Sequence, residues 1–233
     1  MTARSFLVTG TDTGIGKTRS SVALLHAFRS AGLRAVGMKP VASGCDWLDG
    51  RWRNEDALAL QAASEPRPVY ADVNPVALPE ATAPTLAAIA AGVNVDAGAL
   101  RAAHARLADS ADVVLVEGAG GWDAPLAEGL EHHDLARDLG GGVVLVVGLK
   151  LGCLSHARLT ARAIAADGCR LLGWVGNRID PDFTRVDDYL GLLNAALPAP
   201  CLGVLPFEPD ETRPRSALSL DPAWIAGFCA SSA

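Results

Sequence analysis

Apolar residues in this chain follow two rhythms. Short unbroken runs such as "DVVLVE" at 112–117 and "GGVVLVVG" at 141–148 alternate with stretches where apolar positions recur every three or four residues, as Leu24, Leu25 and Phe28 do. An unbroken aliphatic run marks a strand covered on both faces; the wider spacing marks a helix with one buried stripe. The pattern predicts strands at 5–9, 34–39, 112–117, 141–148, 171–176 and 201–205. It predicts helices at 17–31, 55–63, 84–91, 96–108, 155–166 and 184–196, and a short one in "PAWIAGFCA" near the C-terminus. Gly32 and Pro40 act as stops after the first helix and the second strand. Residues 43–53 read as a polar loop, and 66–84, with five prolines, as irregular.

Strands that alternate with helices in this way build a doubly wound α/β sheet, mostly parallel, with helices on both faces. No internal repeat and no long linker interrupts the alternation, so residues 1–233 are expected to form a single domain.

Composition sharpens this picture. Half of the residues are hydrophobic but only 5% are aromatic, so the core is expected to be aliphatic. The net charge is −6 and no basic run exceeds two residues, which argues against a nucleic-acid groove. The start, "MTARSFLVTG", enters a strand pattern at once and lacks the apolar region of a signal peptide. The most apolar run, 143–149, is too short to cross a membrane. Cysteines at 45, 153, 169, 201 and 229 are odd in number and widely spaced, as expected of reduced thiols in a cytoplasmic protein.

The chemistry concentrates at strand ends. In "VTGTDTGIGKT" five residues separate Gly10 from Gly16, one more than the usual phosphate-loop spacing. A strand, a glycine-rich loop and a helix starting at Lys17 still make an anion site, because the helix N-terminus offers unpaired N–H groups and partial positive charge. Gly14 and Gly16 allow close backbone approach, Lys17 can reach the outer phosphates, and the Thr18 hydroxyl is placed for Mg²⁺. Glu117 ends the 112–117 strand and takes the place of an NTPase acidic residue. Asp56 reads either as a second metal ligand or as a helix-start carboxylate. Asn177, expected just after a buried strand, reads either as a purine reader or as a turn residue. The run His132-His133-Asp134 offers no third ligand at metal spacing and is expected to be a solvated loop.

Several segments together resemble the dethiobiotin synthetase family: "VTGTDTGIGKT", "GMKPVASG", "NEDALALQ", "VNPVALPEATAP", "VLVEGAGGWDAPL", "VVGLKLGCLSHARLT" and "GWVGNRI". The similarity runs from about Phe6 to Pro206, and the five-residue loop is itself a mark of that family. The resemblance implies a P-loop NTPase-like fold and an ATP- and Mg²⁺-dependent ligase of biotin biosynthesis. Its substrates would be 7,8-diaminononanoate and CO₂, joined through a carbamate and a carbamic–phosphoric anhydride. It implies Lys39 and Lys17 as catalytic residues, with Thr18, Asp56 and Glu117 holding the metal. ATP would be bound by Gly14, Ile15, Gly16, Lys17, Thr18 and Arg19, and by Glu117, Gly118, Ala119 and Gly120. Asn177 and Arg178 would read the base, with Pro206, Phe207, Glu208 and the segment after them closing over it. Thr11 and Ser43 would hydrogen-bond the diamine. Gly152, Cys153 and Leu154 of a second subunit would receive its carboxylate tail, which makes the enzyme a homodimer.

Three other classes share parts of the pattern. Amidoligases of the cobyrinic-acid type usually add a glutamine-hydrolysing domain, for which this chain is too short. Partitioning ATPases carry a second lysine near the loop start, where this chain has Thr11-Asp12-Thr13. A GTP-binding switch would rest on Asn177 and Asp180 alone.

Overall fold

The computed structural model describes residues 3–208 and 218–230. Six strands form the central sheet: β1 (Arg4–Gly10), β2 (Ala35–Met38), β3 (Val113–Glu117), β4 (Gly142–Leu149), β5 (Arg170–Arg178) and β6 (Cys201–Leu205). Their order is β6-β5-β4-β1-β3-β2 and every pairing is parallel. The sheet is thus parallel in all its strand pairings, with one antiparallel bridge from Ala35 of β2 to Glu65. A further antiparallel pairing lies outside it, in a hairpin of Asp46–Leu48 with Arg51–Arg53.

Side chains alternate across the sheet and fill a core on each face. Phe6 and Val8 of β1, with Val113 and Leu115 of β3, pack on Leu24 and Phe28 of the helix Lys17–Ser30. Their neighbours Leu7, Val114 and Val116 point the other way, onto Leu107 of the helix Ala97–Ala108 and Ile164 of the helix Cys153–Ala166. Each such side chain contributes about 1.5–3 kcal/mol by leaving water. This two-sided covering makes the strand sequences continuously apolar. It also leaves the carboxyl edge of the sheet, where the runs end in glycine, lysine and glutamate, as the place for polar chemistry.

Four local expectations change. Residues 43–53 contain the hairpin, because Asp49 and Gly50 both take positive φ (51° and 77°), as a tight two-residue hairpin turn requires. Within 66–84, Tyr70–Val73 is a short helix and Val76–Ala77 pairs with Val41–Ala42. The segment expected as a solvated loop is the helix His132–Asp138, and His132 is fully buried. Strand β5 runs on through Asn177 to Arg178, because Asn177 pairs with Gly148 on one side and Leu205 on the other. Asn177 is therefore a strand residue, not a residue following the strand. No helix among the described residues is long and apolar enough to cross a membrane.

Candidate active site

The phosphate-type loop joins β1 to the helix Lys17–Ser30. Ile15 is buried and anchors the loop in a space left by two glycines: a Cβ on Gly10 or Gly148 would come within 2.9 Å or 2.8 Å of it. Gly14 and Gly16 take φ of +71° and +82°. Gly16 is the residue before the helix and no side chain caps it, so the first N–H groups of the helix lack a side-chain acceptor. A Cβ on Gly16 would collide with the Asn177 amide, which donates to the Ile15 carbonyl (2.9 Å). The Asn177 oxygen accepts from Arg19 (3.1 Å), and Arg19 also donates to the Pro206 carbonyl (2.7 Å). Asn177 thus ties the loop to β5 and β6.

Two lysines and two carboxylates meet beside the loop. Lys39, one residue past β2, is buried; its Nζ lies 2.8 Å from Glu117 Oε1, 3.2 Å from Asp56 Oδ2 and 3.2 Å from the Gly118 carbonyl. Burial opposes its charge, but Glu117 and Asp56 outweigh that and hold its pKa above that of an ordinary lysine. Lys17 is also buried, and its Nζ donates to the Asp12 carbonyl (3.0 Å). Burial first, then the Lys39 charge, lowers its pKa to about 8. Burial works against the Asp56 carboxylate as well, yet Lys39, Thr18 and Lys17 prevail and keep its pKa below the usual value.

Thr18 donates to Glu117 Oε1 (2.8 Å), while Glu117 Oε2 is buried without a hydrogen-bond partner. A hydroxyl and two carboxylates with an orphaned oxygen suit a hard cation that completes its shell with phosphate oxygens and water. Thr18, Asp56 and Glu117 therefore fit Mg²⁺.

These groups open onto a cleft of about 470 Å³, in the range of ligand sites. Gly14, Gly16, Lys17, Thr18, Arg19, Lys39, Ser43, Asp56, Glu117, Ala119, Gly120 and Glu208 line it. Ser43 donates to the Thr82 carbonyl (2.7 Å) and keeps its lone pairs for a donor in the cleft. Thr11, Ile15, Gly118, Asn177, Arg178, Pro206 and Phe207 are not among the residues that line it. Nor do Gly152, Cys153 and Leu154 line it, and the Cys153 N–H already donates to the Lys150 carbonyl (3.1 Å). The part of the base-closing segment after Glu208 begins outside the described residues.

Sequence reasoning missed the supports. Asn74 donates to the Lys39 carbonyl (2.7 Å), and Tyr70 donates to Asn74 (3.1 Å) while accepting from the Asn54 N–H (2.7 Å). Asn54 in turn caps the helix Glu55–Ala63 that carries Asp56. The quoted segment "VNPVALPEATAP" holds Asn74, so its signal was at hand without its role. His132, read as solvated, sits under the Gly118–Gly120 turn. Burial is the first cause that brings its pKa down to about 4, so the ring is neutral at pH 7. Thr13, Asn54, Glu55 and Ala59 complete the cleft wall.

Comparison with known proteins decides the family. The chain is 55% identical over 216 residues to the ATP-dependent dethiobiotin synthetase BioD of Xanthomonas oryzae pv. oryzae (strain PXO99A), spanning 93% of this chain and 96% of the relative. The chain belongs to the dethiobiotin synthetase family. Synthetases of the same name from Xanthomonas euvesicatoria pv. vesicatoria (57%, 88% of this chain and 92% of the relative) and Xylella fastidiosa (strain 9a5c; 56%, 92% and 95%) are similarly alike. Residues 4–215 also match the family described as an AAA domain. Among solved structures, the MinC:MinD cell division protein complex of Aquifex aeolicus aligns with a TM-score of 0.55 at 17% identity, covering 89% of this chain and 82% of that one. A ParA family ATPase from Chlorobium tepidum TLS aligns at 0.54 and 14%, covering 89% and 86%. At such identities the likeness concerns the fold, a P-loop NTPase-like sheet.

Proposed function

We infer that this chain is an ATP-dependent dethiobiotin synthetase that closes the ureido ring of dethiobiotin from 7,8-diaminononanoate and CO₂, releasing ADP and phosphate. The observation that carries this reading is the meeting of Lys17, Thr18, Lys39, Asp56 and Glu117 in one cleft at the carboxyl edge of the sheet. Family membership supplies the reaction; the cleft supplies the groups it needs.

The chemistry must bring two anions together. One amine adds to CO₂ and loses a proton, giving a carbamate. A carbamate oxygen then attacks the γ-phosphorus of ATP, the bond to the bridging oxygen breaks, and ADP leaves. The second amine attacks the carbonyl of the resulting mixed anhydride and loses a proton, the ring closes, and phosphate departs with the electron pair of the broken C–O bond. Lys17 at the loop and Lys39 opposite it offset the charge that gathers between carbamate and phosphate. Fixed cations of this kind are the main resource of a phosphoryl-transfer site. Mg²⁺, held by Thr18, Asp56 and Glu117, would neutralise phosphate charge. The uncapped helix start after Gly16 binds phosphate, and Ser43 accepts from the diamine.

Two further parts of the reading extend past the single cleft. The helix start at Gly152, Cys153 and Leu154 does not line this chain's own cleft, and in the proposed homodimer it serves the partner's site. Cysteines 45, 153, 169, 201 and 229 are all free, in keeping with a cytoplasmic enzyme. The test is phosphate release from MgATP and bicarbonate, expected to require the diamine and to yield dethiobiotin. Diamine-independent release would sink the reading.

A further inference from the structure

His132 lies beneath the turn that follows β3, fully buried, with both ring nitrogens engaged. Nδ1 lies 2.8 Å from the Ala124 carbonyl, which can only accept, so Nδ1 carries the proton. Nε2 is then unprotonated and accepts from the Ala119 N–H at 3.1 Å. That N–H belongs to the same peptide plane as the Gly118 carbonyl, and the Gly118 carbonyl accepts from Lys39 Nζ at 3.2 Å. One rigid peptide unit is therefore held at both ends, by an imidazole on its N–H and by the Lys39 ammonium on its C=O.

We propose that His132 is a positioning residue for Lys39 that acts through the Gly118–Ala119 peptide. N–H and C=O point in opposite directions across a planar peptide, so a rotation that frees one end moves the other. Gly118 has no Cβ to resist such a rotation. The ring itself fills the space beside it: a Cβ on Gly118 would come within 2.6 Å of His132. Each bond also polarises the other, since a donor engaged by an acceptor leaves its carbonyl a stronger acceptor. The inference rests on the synthetase reading, because it matters for turnover only if Lys39 works in the cleft.

The two nitrogens can be separated by substitution. In His132→Gln the side-chain oxygen can reach the Nε2 position and accept from Ala119. In His132→Asn the amide nitrogen can reach the Nδ1 position and donate to Ala124, but nothing accepts from Ala119. Diamine-dependent phosphate release should stay near the wild-type kcat in His132→Gln and fall about tenfold to a hundredfold in His132→Asn, as expected for a misplaced catalytic group. KM for ATP and for the diamine should change little in either. Equal loss of kcat in both, loss in neither, or greater loss in Gln would overturn the proposal. A wild-type protein without diamine-dependent turnover would instead overturn the synthetase reading. Imidazole nitrogen NMR of the folded wild type gives a second test that needs no His132 variant. Nε2 should be unprotonated, and its resonance should move when Lys39 is replaced by alanine. A protonated Nε2, or a resonance indifferent to Lys39, would also overturn it.

Discussion

Single residues set the charge of the cleft, and their effects differ in kind. Lys39 is paired with carboxylates that keep it cationic, whereas Lys17 sits at about 8 because burial and the Lys39 charge act against it. Lys39→Ala should reduce ring closure by about 10²–10³ or more, the usual loss for one fixed donor at a developing anion. Its circular dichroism spectrum should be unchanged, and near-normal turnover would remove Lys39 from the mechanism. Lys17 predicts a pH effect with a defined sign. Below about 8 the free protein carries the ammonium; above it the amine is neutral. Bound phosphates favour the ammonium, so ATP binding should weaken as pH rises through 8 and should take up a proton there. Calorimetric titration in two buffers of different ionisation heat measures that uptake, and its absence near pH 8 would refute the assignment.

At the scale of elements, the loop and its helix depend on how closely β5 approaches. Gly14 and Gly16 both have positive φ, so alanine at either costs about 1–2 kcal/mol in backbone strain. A Cβ on Gly14 meets nothing within 4 Å, while one on Gly16 meets the Asn177 amide. Gly16→Ala should therefore weaken ATP binding well beyond Gly14→Ala, and should lower the melting temperature further. Equal behaviour of the two would mean that Asn177 does not set the loop. Elements with contiguous signals were readable: the loop, Lys17, Thr18, Glu117 and the strands that carry them follow from local pattern. The supports were not. His132 is placed by a turn packed over its ring, and Asn74 by the carbonyl of Lys39. Such contacts join residues far apart in sequence and leave no periodicity. The hairpin at 46–53 is a different case, since Asp49-Gly50 is a legible turn signal lying between two tryptophans that pair across the strands.

At the scale of the whole molecule, the proposed completion of each site by a second chain makes its own prediction. In a two-fold dimer, a Lys39→Ala chain and a Gly152→Pro chain place both lesions in one site and leave the other intact. Mixing the two inactive proteins should restore activity, up to about half per mixed dimer if sites act independently. Proven subunit exchange without recovery would show that the 152–154 turn does not serve the partner. The strand order carries a consequence of another sort. Strand β1 is flanked by β3 and β4, and β2 pairs with β3 alone. While the chain is being made, neither β1 nor β2 has a strand of the sheet to pair with until Glu117 has left the ribosome, and β2 has only the bridge of Ala35 to Glu65. Synthesis at about 5–20 residues per second puts that arrival roughly 5–20 s after Gly10 emerges. During this interval the nascent chain exposes the apolar residues of β1 with its ladder hydrogen bonds unmade, and the nucleotide loop exists as sequence without a sheet to hold it. The early window of translation is thus when this protein most needs chaperone protection, and ATP can offer it none.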